Sequence, residues 1–346
     1  MQAKQIYIVL SLSFLILIFG CGQIRDLTEV KGSKAADGPT LYVDGNYDGD
    51  VSNGTTVFPF KSIQNDINAA NAGDMIFVKS LSDTEMVYSE RLYINKRIDL
   101  KGDGSTKIEV TIPASDPLFS RGIIVFDNGS DGGSISGFEV SHTTWNIGSG
   151  IICKNGANVH IFANKIWSHN TGIMVYDSAP YIENNTLLEN TYGIYLQNSL
   201  VNSANYVPLI VNNKIIRSRD PLSPGEMAGI YAYDYARGNI YNNYLCQNER
   251  GINCLGDNVS MSIVNNIIAD NNNDSSRIGF ITWGLDCSYN IFNNIFSNNE
   301  NYAIRSGGTG VINAFYNSIT GSTISTDPAV VVSENISVVP VFINTE

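Results

Sequence analysis

Short apolar runs separated by asparagine and glycine fill most of the chain after about residue 134. In each run an asparagine is followed two positions later by an apolar residue, and a glycine with another apolar residue comes shortly after. These asparagines are Asn164, Asn185, Asn213, Asn243, Asn266, Asn294 and Asn317, at spacings of 21, 28, 30, 23, 28 and 23 residues. A recurrence of this length indicates a solenoid, in which each repeat packs only against its neighbours.

The content of each repeat favours strands over helices. Its short runs are rich in Ile, Val, Tyr and Phe and alternate in polarity, which is typical of half-buried strands. A helical repeat would need about ten or more residues of 3.6-residue periodicity in each element. A unit of 21 to 23 residues with three short strands fits one turn of a parallel β-helix, whose asparagines can stack into a hydrogen-bonded ladder. We therefore predict an all-β, three-sheet solenoid of about eleven turns.

The segment 41–79, "LYVDGNYDGDVSNGTTVFPFKSIQNDINAANAGDMIFVK", precedes the regular repeats. Ile63, Ile67 and Ala70 fall on one face of a helix predicted at about 60–72, which would cap the open end of the first turn. Together with the repeats, this segment resembles the start of exported proteins of the pectin-lyase-like superfamily. The resemblance covers roughly residues 41–345 and implies a right-handed parallel β-helix with a short N-terminal capping helix.

The N-terminus carries an export pattern. Lys4 is followed by an apolar run, residues 6–19, that stops at "GCGQ", as in a signal peptide. The tetrapeptide ending in Cys21 looks like the lipobox of bacterial lipoproteins, which implies cleavage before Cys21 and a lipid on its thiol. The predicted domains are a signal peptide (1–20), a lipidated cysteine with a polar tether (21–40) and the β-helix (41–346). We expect an exported protein held by its lipid at the cell envelope, on the outer membrane or cell surface.

The net charge limits the kinds of partner that the protein can bind. The chain has 21 Lys and Arg against 33 Asp and Glu, a net charge of −12, which argues against a nucleic-acid partner.

Apart from Cys21 the cysteines are Cys153, Cys246, Cys254 and Cys287. No pair has the spacing of a zinc ribbon or a CxxC motif. Cys153 and Cys254 project inward but lie four turns apart, at ~4.8 Å per turn, so we predict buried free thiols.

Alternation along the strands that follow each glycine projects a stripe of aromatic residues outward. Its members are Tyr176, Tyr195, Tyr231, Tyr233 and Trp283. Stacked aromatics on one face can simply stabilise the sheet. Alternatively, the ring faces suit the C–H faces of sugar rings, and the stripe is a substrate-binding platform for polysaccharide.

Two insertions at one corner of the solenoid predict a notch. The segments 217–228 and 270–278 are longer than their counterparts and flank the turn "QNERG". Glu249 and Arg250 would form the floor, and the walls would come from Arg217, Arg219, Asp220, Glu226, Asp270, Asp274 and Arg277. Such residues serve a polyuronate lyase, which needs a base and a cation near the uronate, or a hydrolase with two carboxylates. Ordinary solvated charges on variable loops are the alternative.

Calcium is the one cofactor for which the sequence offers a candidate site. Asp44, Asn46, Asp48 and Asp50 match the first half of a calcium loop, but Thr55 stands where a bidentate glutamate is expected. A tight solvated turn has the same composition.

The sequence favours a binding protein over an enzyme. The W-I-D-H and R-x-P-x-x-R motifs of pectate lyases, the N-T-D and G-H-G motifs of polygalacturonases and the D-P-H motif of alginate epimerases are all missing. We therefore expect an envelope lipoprotein whose β-helix binds polysaccharide. A divergent polysaccharide lyase and a structural or accessory periplasmic protein are the alternatives, because fold alone does not decide function.

Overall fold

The structure is a computed structural model. It describes residues 37–81, 87–111, 121–144, 147–202, 204–220, 225, 227–271, 277–324 and 330–336. The predicted signal peptide, Cys21, most of the tether, Glu226 and Asp274 lie outside these ranges. Over the ranges described, no helix has the length and apolar character that a membrane span requires.

The described chain consists almost entirely of short strands. In chain order the elements are β1 (Thr40–Val43), α1 (Ile63–Ala69), β2 (Met75–Val78), β3 (Leu92–Ile94), β4 (Asp99–Val110), β5 (Gly122–Phe126), β6 (Ser134–His142), β7 (Ser149–Lys154), β8 (His160–Phe162), β9 (Lys165–Trp167), β10 (Thr171–Tyr176), β11 (Tyr181–Glu183), β12 (Thr186–Leu188), β13 (Tyr192–Gln197), β14 (Leu209–Val211), β15 (Lys214–Ile216), β16 (Ala228–Tyr233), β17 (Arg237–Tyr241), β18 (Tyr244–Cys246), β19 (Arg250–Leu255), β20 (Ser260–Val264), β21 (Ile267–Ala269), β22 (Ile278–Trp283), β23 (Ser288–Phe292), β24 (Ile295–Ser297), β25 (Tyr302–Ser306), β26 (Val311–Phe315), β27 (Ser318–Thr320), β28 (Thr323–Ile324) and β29 (Val330–Ser333).

The strands stack in three parallel columns. One is a ten-stranded sheet that runs from β3 through β5, β7, β10, β13, β16, β19, β22 and β25 to β28. A first stack runs from β1 and β2 through β4, β6, β8, β11, β14, β17, β20, β23 and β26 to β29, and a second stack from β9 through β12, β15, β18, β21 and β24 to β27. The long strands β4 and β6 continue through the corner and join the two stacks into one sheet. This is the predicted right-handed parallel β-helix.

The interior of the solenoid is built from residues that align from turn to turn. On the ten-stranded sheet, the inward column contains Ile151, Ile173, Ile194, Ile230, Ile252, Phe280 and Ile304, all in register. Each of them is fully buried. The predicted inward alternation is confirmed, and so is the prediction for the cysteines, because the four in the described ranges are free and buried.

The predicted asparagine ladder lies at the corner between the first and second stacks. Its rungs are Asn164, Asn185, Asn213, Asn243, Asn266, Asn294, Asn317 and Asn335. Each side-chain oxygen accepts from both the backbone N–H and the amide of the preceding rung, as Asn243 does at 2.9 and 3.0 Å from Asn213. The residue before each rung has a left-handed backbone, for example Asn242 with φ 55°. Asparagine tolerates that conformation better than most residues.

A second ladder lies five residues further along each turn, where the second stack meets the ten-stranded sheet. It contains His169, Asn190, Ser218, Asn248, Asn271 and Asn299. Asn248 accepts from the backbone N–H of Ser218 at 2.8 Å, and its amide donates to Ile215 O at 3.1 Å. This ladder was not predicted, although its asparagines Asn190, Asn248, Asn271 and Asn299 each lie five residues after an asparagine of the first ladder, which is a regularity visible in the sequence.

The helix α1 covers the first turn and is shorter than the predicted span. It begins after Ser62, whose side chain caps it, and ends where Ala70 turns extended. The Glu90 carboxylate accepts from the backbone N–H groups of Ile63 and Gln64 at 2.9 and 3.0 Å, satisfying the free donors of the first turn. Ile63 and Ile67 are buried against the strands below, which confirms the capping helix.

One carboxyl group in this helix is buried without a partner. Asp66 is fully buried, and neither of its oxygens has a hydrogen-bond partner. Burial, reinforced by the nearby charge of Asp74, raises the pKa of Asp66 from its ordinary 3.8 to about 7. The folded protein therefore holds a proton on Asp66 over a pH range in which the unfolded chain has lost it.

We predict that replacing Asn243 by alanine destabilises the fold by about 3 kcal/mol, because several buried hydrogen bonds are lost together. Asn313→Ala is the matched control, since in the part of the chain that the structure describes its amide donates to Asn290 on a partly buried outer surface. We expect the control to cost under about 1 kcal/mol. Urea unfolding followed by circular dichroism measures both, and equal losses for the two variants would contradict the role of the ladder.

We predict that the free energy of unfolding falls as the pH rises from about 4 to 7 and then levels off, because the folded pKa of Asp66 lies above the unfolded one. In Asp66→Asn this slope should flatten, and the variant should be more stable than the native protein above pH 7, by on the order of 2 to 4 kcal/mol. Thermal and urea unfolding across this pH range provide the measurement. An unchanged slope in the variant would rule out Asp66 as its cause.

Candidate functional site

The outward face of the ten-stranded sheet carries two neighbouring columns of side chains. The central column runs in register through Tyr93, Val125, Ile152, Met174, Tyr195, Tyr231, Asn253, Ile281 and Arg305. The edge column runs through Lys154, Tyr176, Gln197, Tyr233, Leu255 and Trp283. The predicted aromatic stripe is therefore divided, with Tyr195 and Tyr231 in the central column and the other three members in the edge column.

The middle of the central column is packed rather than open. Met174 and Tyr231 are only 2% and 6% exposed, although they project from the outer face of the sheet. The rings of Tyr195 and Tyr231 stack with centroids 5.2 Å apart, and Tyr192 lies 4.9 Å from Tyr231. Burial raises the pKa of the Tyr195 hydroxyl. These rings contribute mainly to packing on this face.

The edge column is the accessible part of the stripe. Tyr176, Gln197, Tyr233 and Leu255 are half-buried, and Trp283 is 41% exposed. The guanidinium of Arg305 lies 5.4 Å from the Trp283 ring centroid, close enough for a cation–π contact. A side chain at Gly307 would clash with the same ring, so this glycine lets Trp283 lie against the backbone. The column thus presents aromatic and hydrogen-bonding groups side by side on a rigid sheet.

A cleft of about 240 Å³ lies on the same outward face, near the N-terminal end of the solenoid. It is lined by Arg91, Leu92, Tyr93, Gly122, Val125 and Lys154. Lys154 forms an ion pair with Asp127 at 3.3 Å, and the Tyr93 hydroxyl donates to the same carboxylate at 3.0 Å. Arg91 donates to the carbonyl of Gly122 at 3.1 Å. Because Lys154 also begins the edge column, the cleft and the column are continuous.

The two long insertions lie at one corner, as predicted, since both lead from the second stack into the ten-stranded sheet. Glu249 is buried and accepts a hydrogen bond from the backbone N–H of Gly225 in the first insertion. Arg250 follows it as the first residue of β19. The insertion and the predicted floor of the notch are therefore in contact.

Three of the charged residues that were predicted to form the walls of the notch pair with residues of neighbouring turns. Arg217 pairs with Glu189 at 3.2 Å. Asp270 accepts from the amide of Asn298 at 3.2 Å. Arg277 forms an ion pair with Glu300. Arg217 and Asp270 hold equivalent corner positions two turns apart, roughly 10 Å at ~4.8 Å per turn. A catalytic role for these residues stays a prediction.

The acidic turn considered for calcium is held by other contacts. Asp44 accepts from the backbone N–H of Asn46 at 3.0 Å and pairs with Lys79 at 2.9 Å. This is the local geometry of a turn stabilised by an aspartate side chain. Among the residues that the structure describes, no three His, Cys, Asp or Glu side chains form a group that could hold a metal ion. Calcium binding by Asp44, Asn46, Asp48 and Asp50 stays a prediction.

Comparison with known proteins relates this geometry to a family and to solved folds. Residues 108–330 match the family described as periplasmic copper-binding protein (NosD). The structure is similar to that of XylC in complex with xylose, with a TM-score of 0.55 and 13% identity over 83% of this chain and 70% of that one. It is also similar to pectate lyase Pel9A, with a TM-score of 0.52 and 12% identity over 88% and 80% of the two chains. At these identities the likeness shows a shared fold. No curated protein matches the chain.

We predict that the two kinds of aromatic residue on this face respond differently to truncation. Tyr231→Ala should lower the free energy of unfolding by about 3 kcal/mol or more, because it leaves a cavity beneath a packed ring. Trp283→Ala should cost about 1 kcal/mol or less, because 41% of this residue is already exposed. Urea unfolding of the two variants checks this, and a larger loss in Trp283→Ala would contradict the assignment.

Proposed function

The chain belongs to the NosD family of periplasmic copper-binding proteins, and we propose that it is an exported protein whose β-helix binds polysaccharide. The binding surface in this proposal is the edge column on the ten-stranded sheet. The protein would be held at the cell envelope through the lipid predicted on Cys21.

The composition and exposure of the edge column are the main support for this proposal. It places half-exposed aromatic rings at Tyr176, Tyr233 and Trp283, with the polar side chain of Gln197 between the tyrosines. Aromatic rings bury the apolar C–H faces of sugars, and amides and hydroxyls bond to sugar hydroxyl groups. The column extends over six consecutive strands, so its length suits a chain-like ligand better than a single sugar.

The scaffold beneath the column favours binding because it is already ordered. Each turn is hydrogen-bonded to its neighbours through the strands and through two ladders of buried side chains. A pre-organised surface avoids most of the ordering cost that a mobile loop would incur on binding. The cationic groups Arg91 and Lys154 at one end and Arg305 at the other also lie on this face. They would favour a polysaccharide that carries acidic groups.

The family description also names copper. The buried histidine and cysteine side chains are the candidates for binding such an ion. His142 and His169 are buried with ring centroids 6.3 Å apart, and Nε2 of His169 lies 3.3 Å from the carbonyl of Val140. Cys254 and Cys287 are buried free thiols that lie close enough to interact electrostatically. Thiolate and thioether sulfur are the ligands that Cu(I) prefers. Among the residues that the structure describes, however, no three His, Cys, Asp or Glu side chains form a group that could hold a metal ion, so the described residues do not assemble a copper site.

We predict that the full chain is retained on immobilised acidic polysaccharide and that Trp283→Ala and Tyr233→Ala each weaken this retention about tenfold or more. The measurement uses polygalacturonate, alginate, xylan and a neutral glucan, each with and without calcium. Tyr244→Ala is the matched control, because Tyr244 is an exposed tyrosine, 38% accessible, on β18 of the second stack. Retention by the control should equal that of the native protein.

Absorbance of unsaturated sugar products is followed in the same samples. Product growth that disappears in Arg250→Ala would identify a lyase and replace the binding proposal. Absence of retention on every polysaccharide, or equal weakening by Tyr244→Ala, would overturn the assignment of the edge column.

A further inference from the structure

The outward face of the ten-stranded sheet changes character at its first strands. Beyond Lys154 the edge column consists of uncharged side chains, which are Tyr176, Gln197, Tyr233, Leu255 and Trp283. At β3, β5 and β7 the same face instead carries Arg91 and Lys154 at the cleft of about 240 Å³. A chain with a net charge of −12 thus places two cationic side chains at one depression on its proposed binding face.

The floor of this cleft is apolar. Val125 is buried, and the ring of Tyr93 lies beside it in the central column. Gly122 keeps the space above them open, because a Cβ atom at this position would come within 2.9 Å of side-chain carbons of Val125 and Ile152. Pockets that hold drug-sized ligands have volumes of about 300–1,000 Å³, so a cleft of about 240 Å³ suits one sugar unit better than several.

The carboxylate of Asp127 orients two of the groups that surround the cleft. The ammonium of Lys154 pairs with Oδ2 of Asp127 at 3.3 Å, and the Tyr93 hydroxyl donates to the same oxygen at 3.0 Å. Oδ1 of Asp127 accepts from the amide of Asn155 and from the backbone N–H of Asn128, both at 2.8 Å. The side chains of Lys154 and Asp127 are only 16% and 13% exposed. Lys154 is therefore a cation held in place rather than a mobile surface charge, which lowers the ordering cost of binding.

Arg91 supplies the second cation. Its Nε donates to the carbonyl of Gly122 at 3.1 Å, which holds the guanidinium against the strand that borders the cleft. A guanidinium is planar, is always charged and matches the geometry of a carboxylate. The ammonium of Lys154 has three N–H donors, and its ion pair with Asp127 uses only part of them. Both cations can therefore interact with an anionic group in the cleft.

We propose that this cleft binds one carboxylate-bearing sugar unit of the polysaccharide, with the carboxylate facing Arg91 and Lys154 and the ring on the apolar floor. The inference rests on the proposed binding function, because the same polysaccharide continues along the edge column that Lys154 begins. An acidic sugar matches the cleft, since its C–H faces are apolar and its substituent carries the charge. A neutral unit would cover the cations without supplying a counter-charge, which is unfavourable. The cleft thus selects acidic polysaccharides, and the edge column binds the chain that follows.

Binding of single sugars to the full chain, followed by ligand-observed NMR, tests the cleft directly. The probes are galacturonate, galactose 6-sulfate and galactose. We expect galacturonate to bind at least about tenfold more tightly than galactose, because only the acid supplies a charge complementary to the cleft. Equal binding of galacturonate and galactose, or binding of neither, would overturn the proposal. Tighter binding of galactose 6-sulfate than of galacturonate would contradict the choice of a carboxylate.

Lys154→Met and Gly122→Ala should each weaken galacturonate binding about tenfold or more, the first by removing a charge and the second by filling the cleft. Lys165→Met is the matched control. Lys165 also forms an ion pair, with Glu139 at 3.2 Å, but lies on β9 of the second stack. The control should bind galacturonate as the native chain does. An unchanged affinity in both cleft variants, or an equal loss in the control, would contradict the site.

A comparison on the native chain avoids dependence on variants that fail to fold. Retention on immobilised polygalacturonate should exceed retention on its methyl ester about tenfold or more, because the ester keeps the sugar rings and removes the charge. Equal retention on the two polymers would overturn the cleft and leave the edge column in place. Trp283→Ala should weaken retention on both polymers and leave galacturonate binding unchanged. Absence of retention on either polymer would overturn the proposed function itself, so the two failures are distinguishable.

Discussion

Seven successive turns, from Asn164 to Asn317, each carry an asparagine side chain into a corner where it is buried. The polar atoms of a buried amide must be hydrogen-bonded within the protein. The amide of the next turn satisfies this requirement, but only when the two turns are in register. Asn213, Asn243 and Asn266 illustrate the pattern, since each oxygen accepts from the rung before it and each amide donates to the rung after it. The ladder therefore fixes how one turn sits on the next, and the alignment of every strand depends on it.

The two ladders also explain where the chain varies in length. Their rungs are five residues apart in each turn, as in Asn243 and Asn248 or Asn266 and Asn271, so the strand of the second stack between them has a constant length. Extra residues are accommodated only after the second ladder or after the ten-stranded sheet. The insertions at 217–228 and 270–278 obey this restriction, and they bring loop residues to the start of the ten-stranded sheet.

The same strands present different chemistry on their two faces. On β22, Trp283 projects outward into the edge column, whereas its neighbour Thr282 projects inward, where its hydroxyl lies 2.7 Å from that of Tyr289. Because side chains alternate along a strand, one short element contributes both to the proposed polysaccharide surface and to the interior of the solenoid. A change on the outer face need not disturb the interior.

Much of the fold could be predicted from the sequence because it is governed by local, repeating requirements. The asparagine period, the alternation of apolar residues and the glycine before each strand of the ten-stranded sheet fixed the solenoid, the first ladder, the inward columns and the burial of the cysteines. The same reasoning placed the insertions at one corner and a capping helix at the first turn.

The candidate sites depended on contacts between residues distant in sequence. Alternation gave the outward direction of Tyr231 and Trp283, but only the packed structure showed that the first is buried and the second exposed. The ion pairs of Arg217 and Arg277 formed with residues of neighbouring turns, Glu189 and Glu300, which spacing alone does not single out. The approach of the Thr282 and Tyr289 hydroxyl groups to 2.7 Å required side chains from two different sheets to converge across the interior. The sequence by itself determined the repeat and the face on which each side chain lies, because these follow from strand geometry. Only the tertiary structure decided which side chains meet and which remain exposed, because that depends on packing between turns.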